Sequence, residues 1–224
     1  FENPTVAGLA VHIDRAGQQG EGLSSIPLLP VDRDQPLPLS FEQQRLWFLH
    51  QYEQGADIAY NIPVAVRLKG VLDIDALRRA FAMMIDRHET LRTVFRLSGD
   101  EPVQVVLGSM EPELPVIECC EADLNEQLSR HARQRFNLAE GPLLRVVALK
   151  LSADDHVLLV NMHHIISDHW SRSVMVRDLV YLYSECRGES REALPKLPIQ
   201  YGDFAYWQRQ WLQADAAGKQ LEYW

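Results

Sequence analysis

Apolar residues follow two periods along this chain. A spacing of three and four places Leu77, Phe81, Met84 and Ile85 on one face of a helix that Asp73 or Asp75 can cap. The same period predicts helices over residues 124–136 and 171–187, and a last one holding Phe204, Trp207 and Trp211. Ser40 is placed to cap a helix through Gln43, Leu46, Trp47 and His50. Short apolar runs predict strands over 62–70, where glycine ends the run, and over 91–95, 103–107, 143–151 and 156–162. Gly99-Asp100 reads as a turn between two of them. Strands and helices mix without strict β-α-β repetition, which predicts an α/β fold with a mixed β-sheet flanked by helices.

The first 40 residues differ from the rest. Val6, Leu9, Ala10 and Ile13 have helical spacing behind Pro4, so residues 1–16 read as a short amphipathic helix that starts as if cut from something larger. Residues 17–38 carry Gly17, Gly20, Gly22, Pro27, Pro30, Pro36 and Pro38 without periodicity, and read as an extended interdomain linker. From residue 39 the composition is globular.

Charge and composition narrow the function classes. A net charge of -9 without a Lys/Arg cluster argues against a nucleic-acid partner. No apolar run approaches the roughly 20 residues needed to span a bilayer, and Phe1 opens no basic-then-apolar leader, so no membrane partner is expected. Cys119, Cys120 and Cys186 lack metal-ligand spacing, and their odd number fits a reducing, cytoplasmic compartment.

Candidate chemistry concentrates in His163-His164-Ile165-Ile166-Ser167-Asp168-His169-Trp170-Ser171, directly after the apolar run 156–162. Neutral imidazole is well suited to take a proton from an amine or thiol near pH 7. Neighbouring side chains on a strand point to opposite faces, so one ring should pack inward and the other face the reactants. His164, one residue further out, is the better catalytic candidate. Asp168 either orients that ring or pairs with an arginine that holds the loop. Arg87 and Arg92 lie between a helix end and a strand, and either stay solvated or supply that partner. His163, His164, Asp168 and His169 also form a conceivable metal set, but the apolar Ile165-Ile166 and Trp170 and the lack of a remote ligand cluster argue for no metal. Trp207, with Tyr201 and Phe204, has the spacing of a core residue more than of a substrate wall.

Four separated segments together resemble the motifs of a nonribosomal peptide synthetase condensation domain. They are residues 40–49 (Ser-Phe-Glu-Gln-Gln-Arg-Leu-Trp-Phe-Leu), 87–95 (Arg-His-Glu-Thr-Leu-Arg-Thr-Val-Phe), 162–171 with the histidine pair, and 201–207 (Tyr-Gly-Asp-Phe-Ala-Tyr-Trp). The third alone also resembles chloramphenicol acetyltransferase relatives. Tyr60-Asn61-Ile62-Pro63 and the arginine-rich second motif resemble the subtype that joins two L-configured aminoacyl units.

The resemblance implies a chloramphenicol acetyltransferase-like lobe over residues 39–224, with the C-terminal lobe absent. Residues 1–16 would be the last helix of a peptidyl carrier domain, and 17–38 the linker from it. The implied reaction is acyl transfer with amide formation, in antibiotic or siderophore biosynthesis. The amine of an acceptor aminoacyl thioester attacks a donor thioester. Both are tethered to phosphopantetheine of upstream and downstream carrier domains, with no cofactor bound directly. His164 is implied to be catalytic, either by removing a proton or by positioning the amine and stabilising the tetrahedral intermediate. His163 is implied to support the loop, and Asp168 to pair with an arginine of the second motif, Arg87 in preference to Arg92. Where the family pattern has glycine, this chain has His169, which questions the local backbone or a close approach there. That change favours an alternative reading as a non-catalytic carrier-docking lobe. A metal-dependent hydrolase is a further alternative.

Overall fold

The computed structural model describes residues 5–8, 10, 11, 14, 26–52, 57–189 and 193–213. Most of the segment expected as a carrier helix, and residues 17–25 of the expected linker, lie outside the described residues. Residues 6–8, 10, 11 and 14 are helical.

Among the described residues, seven strands form two sheets. Strands β2 (Asn61–Lys69), β5 (Val116–Glu118), β6 (Leu144–Ser152) and β7 (Asp155–His163) make one sheet in the order β2-β7-β6-β5. Its β5–β6 pair is parallel and its other pairs are antiparallel, which is the mixed sheet expected. Strands β1 (Leu37–Pro38), β3 (Thr93–Ser98) and β4 (Glu101–Val106) make a smaller antiparallel sheet. The helices are α1 (Phe41–Tyr52), α2 (Ile74–Arg87), α3 (Leu124–Ala132), α4 (His169–Cys186) and α5 (Tyr201–Gln213).

The two-residue period sorts the core of the larger sheet. Leu144, Val146, Leu158 and Met162 face α2 and α4, and pack with Leu77, Phe81, Met84 and Leu182. Val147, Leu149 and Val157 face the opposite side, toward Leu124 and Leu128 of α3. Burial on both faces is why β6 and β7 read as nearly continuous apolar runs. Asp73 is the cap of α2, accepting from the Ala76 N–H at 2.8 Å. Gly99, at φ 63°, makes the β3–β4 turn.

Two boundaries and one unforeseen strand depart from the sequence reading. Residues Glu89–Arg92 form a 3₁₀ turn, so the strand expected from 91 begins at Thr93. Helix α3 stops at Ala132, short of residue 136. Its C-terminal carbonyls are taken by Asn61 Nδ2, at 2.7 Å from Ala132 O and 3.0 Å from Gln134 O, and by Asn161 Nδ2, at 3.0 Å from Ala132 O. The chain beyond the helix then turns Phe136 into the core. Strand β5, three residues long, carries no pattern a sequence reading could use.

Candidate active site

The histidine pair straddles the end of β7. His163 is its last residue, and His164–Ile166 form one 3₁₀ turn leading to α4. Alternation sends the two rings in opposite directions, as expected. His163 is fully buried among the rings of His50, Phe136 and Tyr60, with centroids 5.9, 6.0 and 6.2 Å away. Burial first, then the neighbouring His50 and His164, push its pKa down to about 4, so it is neutral at pH 7. Its Nδ1 accepts the Ile165 N–H at 3.1 Å, so the ring proton sits on Nε2. His163 thereby pins the turn that presents its neighbour.

His164 is exposed, and its Nδ1 lies 2.7 Å from the Ser167 carbonyl. A carbonyl only accepts, so Nδ1 carries the proton and Nε2 keeps its lone pair. That is the tautomer a proton acceptor needs. The ring opens onto a depression lined by Gln43, Leu46, Thr90, Ile166 and Tyr201. Two further segments brace this turn. Gln43 is buried, in a reciprocal capping box with Ser40 (3.0 and 3.2 Å), and its Nε2 reaches Gln104 Oε1 at 3.1 Å and the Ile165 carbonyl at 3.4 Å. Thr90 Oγ1 donates to the Ile166 carbonyl at 3.4 Å.

Asp168 departs from both roles expected of it. It neither orients His164 nor pairs with Arg87 or Arg92, but is the N-cap of α4. Its Oδ1 accepts from the Ser171 N–H at 2.7 Å and the Ser171 hydroxyl at 2.6 Å. Burial works to raise its pKa, but these hydrogen bonds hold it below the usual carboxylate range. A carboxylate at a helix N-terminus is already satisfied by backbone donors and the helix dipole, so it has no need of a guanidinium. Arg87 instead reaches Asp178, Nε to Oδ2 at 3.1 Å, where His88 Nε2 (2.9 Å) and Arg177 also converge. Asp178 is fully buried. The signal for it was an acid on the apolar stripe of α4, in step with Met175 and Leu182. Arg92 bonds the Leu107 carbonyl.

The remaining candidates also disperse. His169 is the first residue of α4, exposed, and its Nδ1 meets the Arg172 guanidinium. Every described residue with positive φ is a glycine, so residue 169 needs no glycine for its backbone. Trp207 does not line the His164 depression; its ring stacks on Trp211 and meets Phe204 at a tilt, with Nε1 donating to the Ile26 carbonyl at 2.5 Å. Among the described residues no three His, Cys, Asp or Glu side chains converge as a metal site.

Residues 33–224 match the profile of the Condensation domain family. This chain belongs to that family. Its condensation-domain sequence is 42% identical over 227 residues to the bassianolide nonribosomal cyclodepsipeptide synthetase of Beauveria bassiana, a match covering 100% of the chain and 7% of that protein. It is 43% identical over 216 residues to a dimodular nonribosomal peptide synthase of Bacillus subtilis (strain 168), covering 95% of the chain and 9% of that protein. The X-domain from teicoplanin biosynthesis superposes with a TM-score of 0.78 at 30% identity, over 85% of this chain and 41% of that one. The starter condensation domain of rhizomide synthetase shares the fold, with a TM-score of 0.76 at 22% identity over 85% and 47% of the two chains. The α/β, chloramphenicol acetyltransferase-like class expected from the sequence is the fold of these neighbours. No helix among the described residues is long and apolar enough to cross a membrane.

Proposed function

We propose that this chain is the N-terminal lobe, from about residue 39, of a peptide-bond-forming condensation domain. In this reading residues 17–38 link it to an upstream carrier domain whose last helix is 1–16. The carrying observation is His164, exposed, with Nδ1 tied to the Ser167 carbonyl, which in the neutral ring leaves Nε2 as the acceptor. The acceptor amine hydrogen-bonds Nε2 and attacks the donor thioester carbonyl. The new C–N bond forms, the C–S bond breaks, and the amine proton passes through Nε2 to the leaving thiolate. Both substrates arrive on phosphopantetheine arms of carrier domains in the cytoplasm.

A second lobe would roof the depression. One feature supports this: the solved neighbours are about twice as long as their match here. Separate from the depression, an apolar groove between α4 and the sheet stands open. Val64, Val66, Val160, Met175 and Val176 line it.

In the full-length synthetase, His164→Ala should lower product formation about 10²–10⁴-fold with an unchanged melting temperature. Unaltered turnover overturns the assignment. A second reading is a non-catalytic docking lobe, favoured because the teicoplanin X-domain also occurs in a complex with OxyB (TM-score 0.79, 30% identity). Condensation by the intact parent module excludes it.

A further inference from the structure

Helix α5 and the 3₁₀ turn after α2 grip the chain that leads into the lobe. Asp203 is 1% exposed, and its Oδ1 accepts from Arg33 Nη1 at 2.7 Å and from the Val31 N–H at 2.9 Å. Its Oδ2 accepts from the Gln200 N–H at 2.7 Å. Glu89 takes the other side of the same guanidinium, with Arg33 Nε at 2.8 Å. Burial would raise the Asp203 pKa, but Arg33 and the two amides hold the carboxyl below its usual range.

Trp207 holds the Ile26 carbonyl, and Arg209 Nε the Leu39 carbonyl at 2.8 Å. Gly202 fits this arrangement because a Cβ there would lie 2.5 Å from Leu37 Cδ1. Leu37 is itself 4% exposed and paired in β1, so it cannot easily withdraw. The segment 201–209 thus faces residues 26–39, while only Tyr201 of it also borders the His164 depression.

We propose that α5 and Glu89 are a clasp for the incoming segment, with Arg33 as its latch. They fix where the upstream chain leaves the lobe, and so the reach of a donor tethered there toward His164. Asp203, Gly202 and Trp207 are then positioning residues for the tether and have no contact with the reacting atoms. The inference rests on the condensation reading. Its physical basis is effective concentration: a tether of defined exit point keeps its load near the site, and a loosened one dilutes it.

The test compares two donor formats in the full-length synthetase. One donor is carried in cis on the upstream carrier domain. The other is supplied as a soluble N-acetylcysteamine thioester. Arg33→Ala, a change in the incoming segment away from His164, should lower transfer of the cis donor about tenfold or more while leaving the soluble donor's rate unchanged. Asp203→Asn should act in the same direction, and the double variant should add little to either single one. Equal losses in both formats, or unaltered cis transfer, overturn the clasp.

Native-state hydrogen exchange at the Val31 amide provides a readout independent of turnover. Arg33→Ala should speed its exchange while α2 and β7 stay protected, and unaltered Val31 protection also overturns the proposal. Should the wild type condense neither donor, it is the condensation reading that fails, and the exchange measurement still decides the clasp.

Discussion

Two polar regions of this lobe handle the same residue types in opposite ways. Around Asp178, two guanidinium groups and an imidazole converge on one carboxylate with no exposed surface. In the histidine turn, Asp168 is partly solvated and serves the backbone, one imidazole is buried neutral, and the other faces outward. The first region is a fixed electrostatic joint between α2 and α4. The second holds a turn by hydrogen bonds alone and leaves a basic nitrogen free. Charge that stays buried is neutralised by a partner, whereas the outward ring, the proposed proton acceptor, is anchored through its Nδ1. The most conspicuous carboxylate in the sequence is therefore not the one the arginine needs.

The contrast can be broken first at Asp178. Asp178→Ala leaves Arg87, 14% exposed, without its counter-charge and His88 without its hydrogen-bond partner. Urea unfolding should show a loss of about 3–5 kcal/mol, and a change below about 1 kcal/mol would mean the joint is not electrostatic.

The next effect is one of pH. The folded state holds His163 neutral down to about 4, against an ordinary value of 6.5. The unfolded chain therefore takes up the proton first. Stability should fall as pH drops from 6.5 to about 4, by roughly 3 kcal/mol at the lower end. Carboxylates held low, Asp168, Asp178 and Asp203, lose their contributions only below the ordinary 3.8, so the two windows separate. His163→Asn should flatten the upper window in a pH series of melts.

Smaller again, Asp168→Ala should cost about 1 kcal/mol, the loss of one helix cap. A loss as large as that for Asp178→Ala would restore Asp168 as an ion-pair partner. Least of all, His169→Gly should change stability by less than about 1 kcal/mol, since the backbone there is ordinary helix. Its readout is the Arg172 side chain, which should gain mobility in NMR relaxation once its imidazole acceptor is gone.

Much of this fold was legible along the chain. Leu77, Phe81, Met84 and Ile85 mark the buried face of α2, and the β6 and β7 runs mark the doubly covered strands. The opposed rings of His163 and His164 follow from alternation alone. The early stop of α3 did not, because Asn61 and Asn161, which take its last carbonyls, come from strands 71 and 29 residues away. Nor did the partners of Arg87 and Trp207, because charged and aromatic side chains choose among neighbours brought together only by packing; the Asp168–Ser171 cap is local, three residues apart, but the sequence reading gave Asp168 another role.

Local rules thus settled what depends on residues a few places apart: helix faces, strand faces, the Ser40 cap, a cap of α2 at Asp73 or Asp75, and which histidine looks outward. Each of these follows from backbone geometry with a period of 3.6 or 2. Tertiary structure alone decided which carboxylate meets Arg87 and that residues 201–209 hold the segment at 26–39. Those pairings join sites up to 181 residues apart, and no local period encodes a contact made across two folded layers.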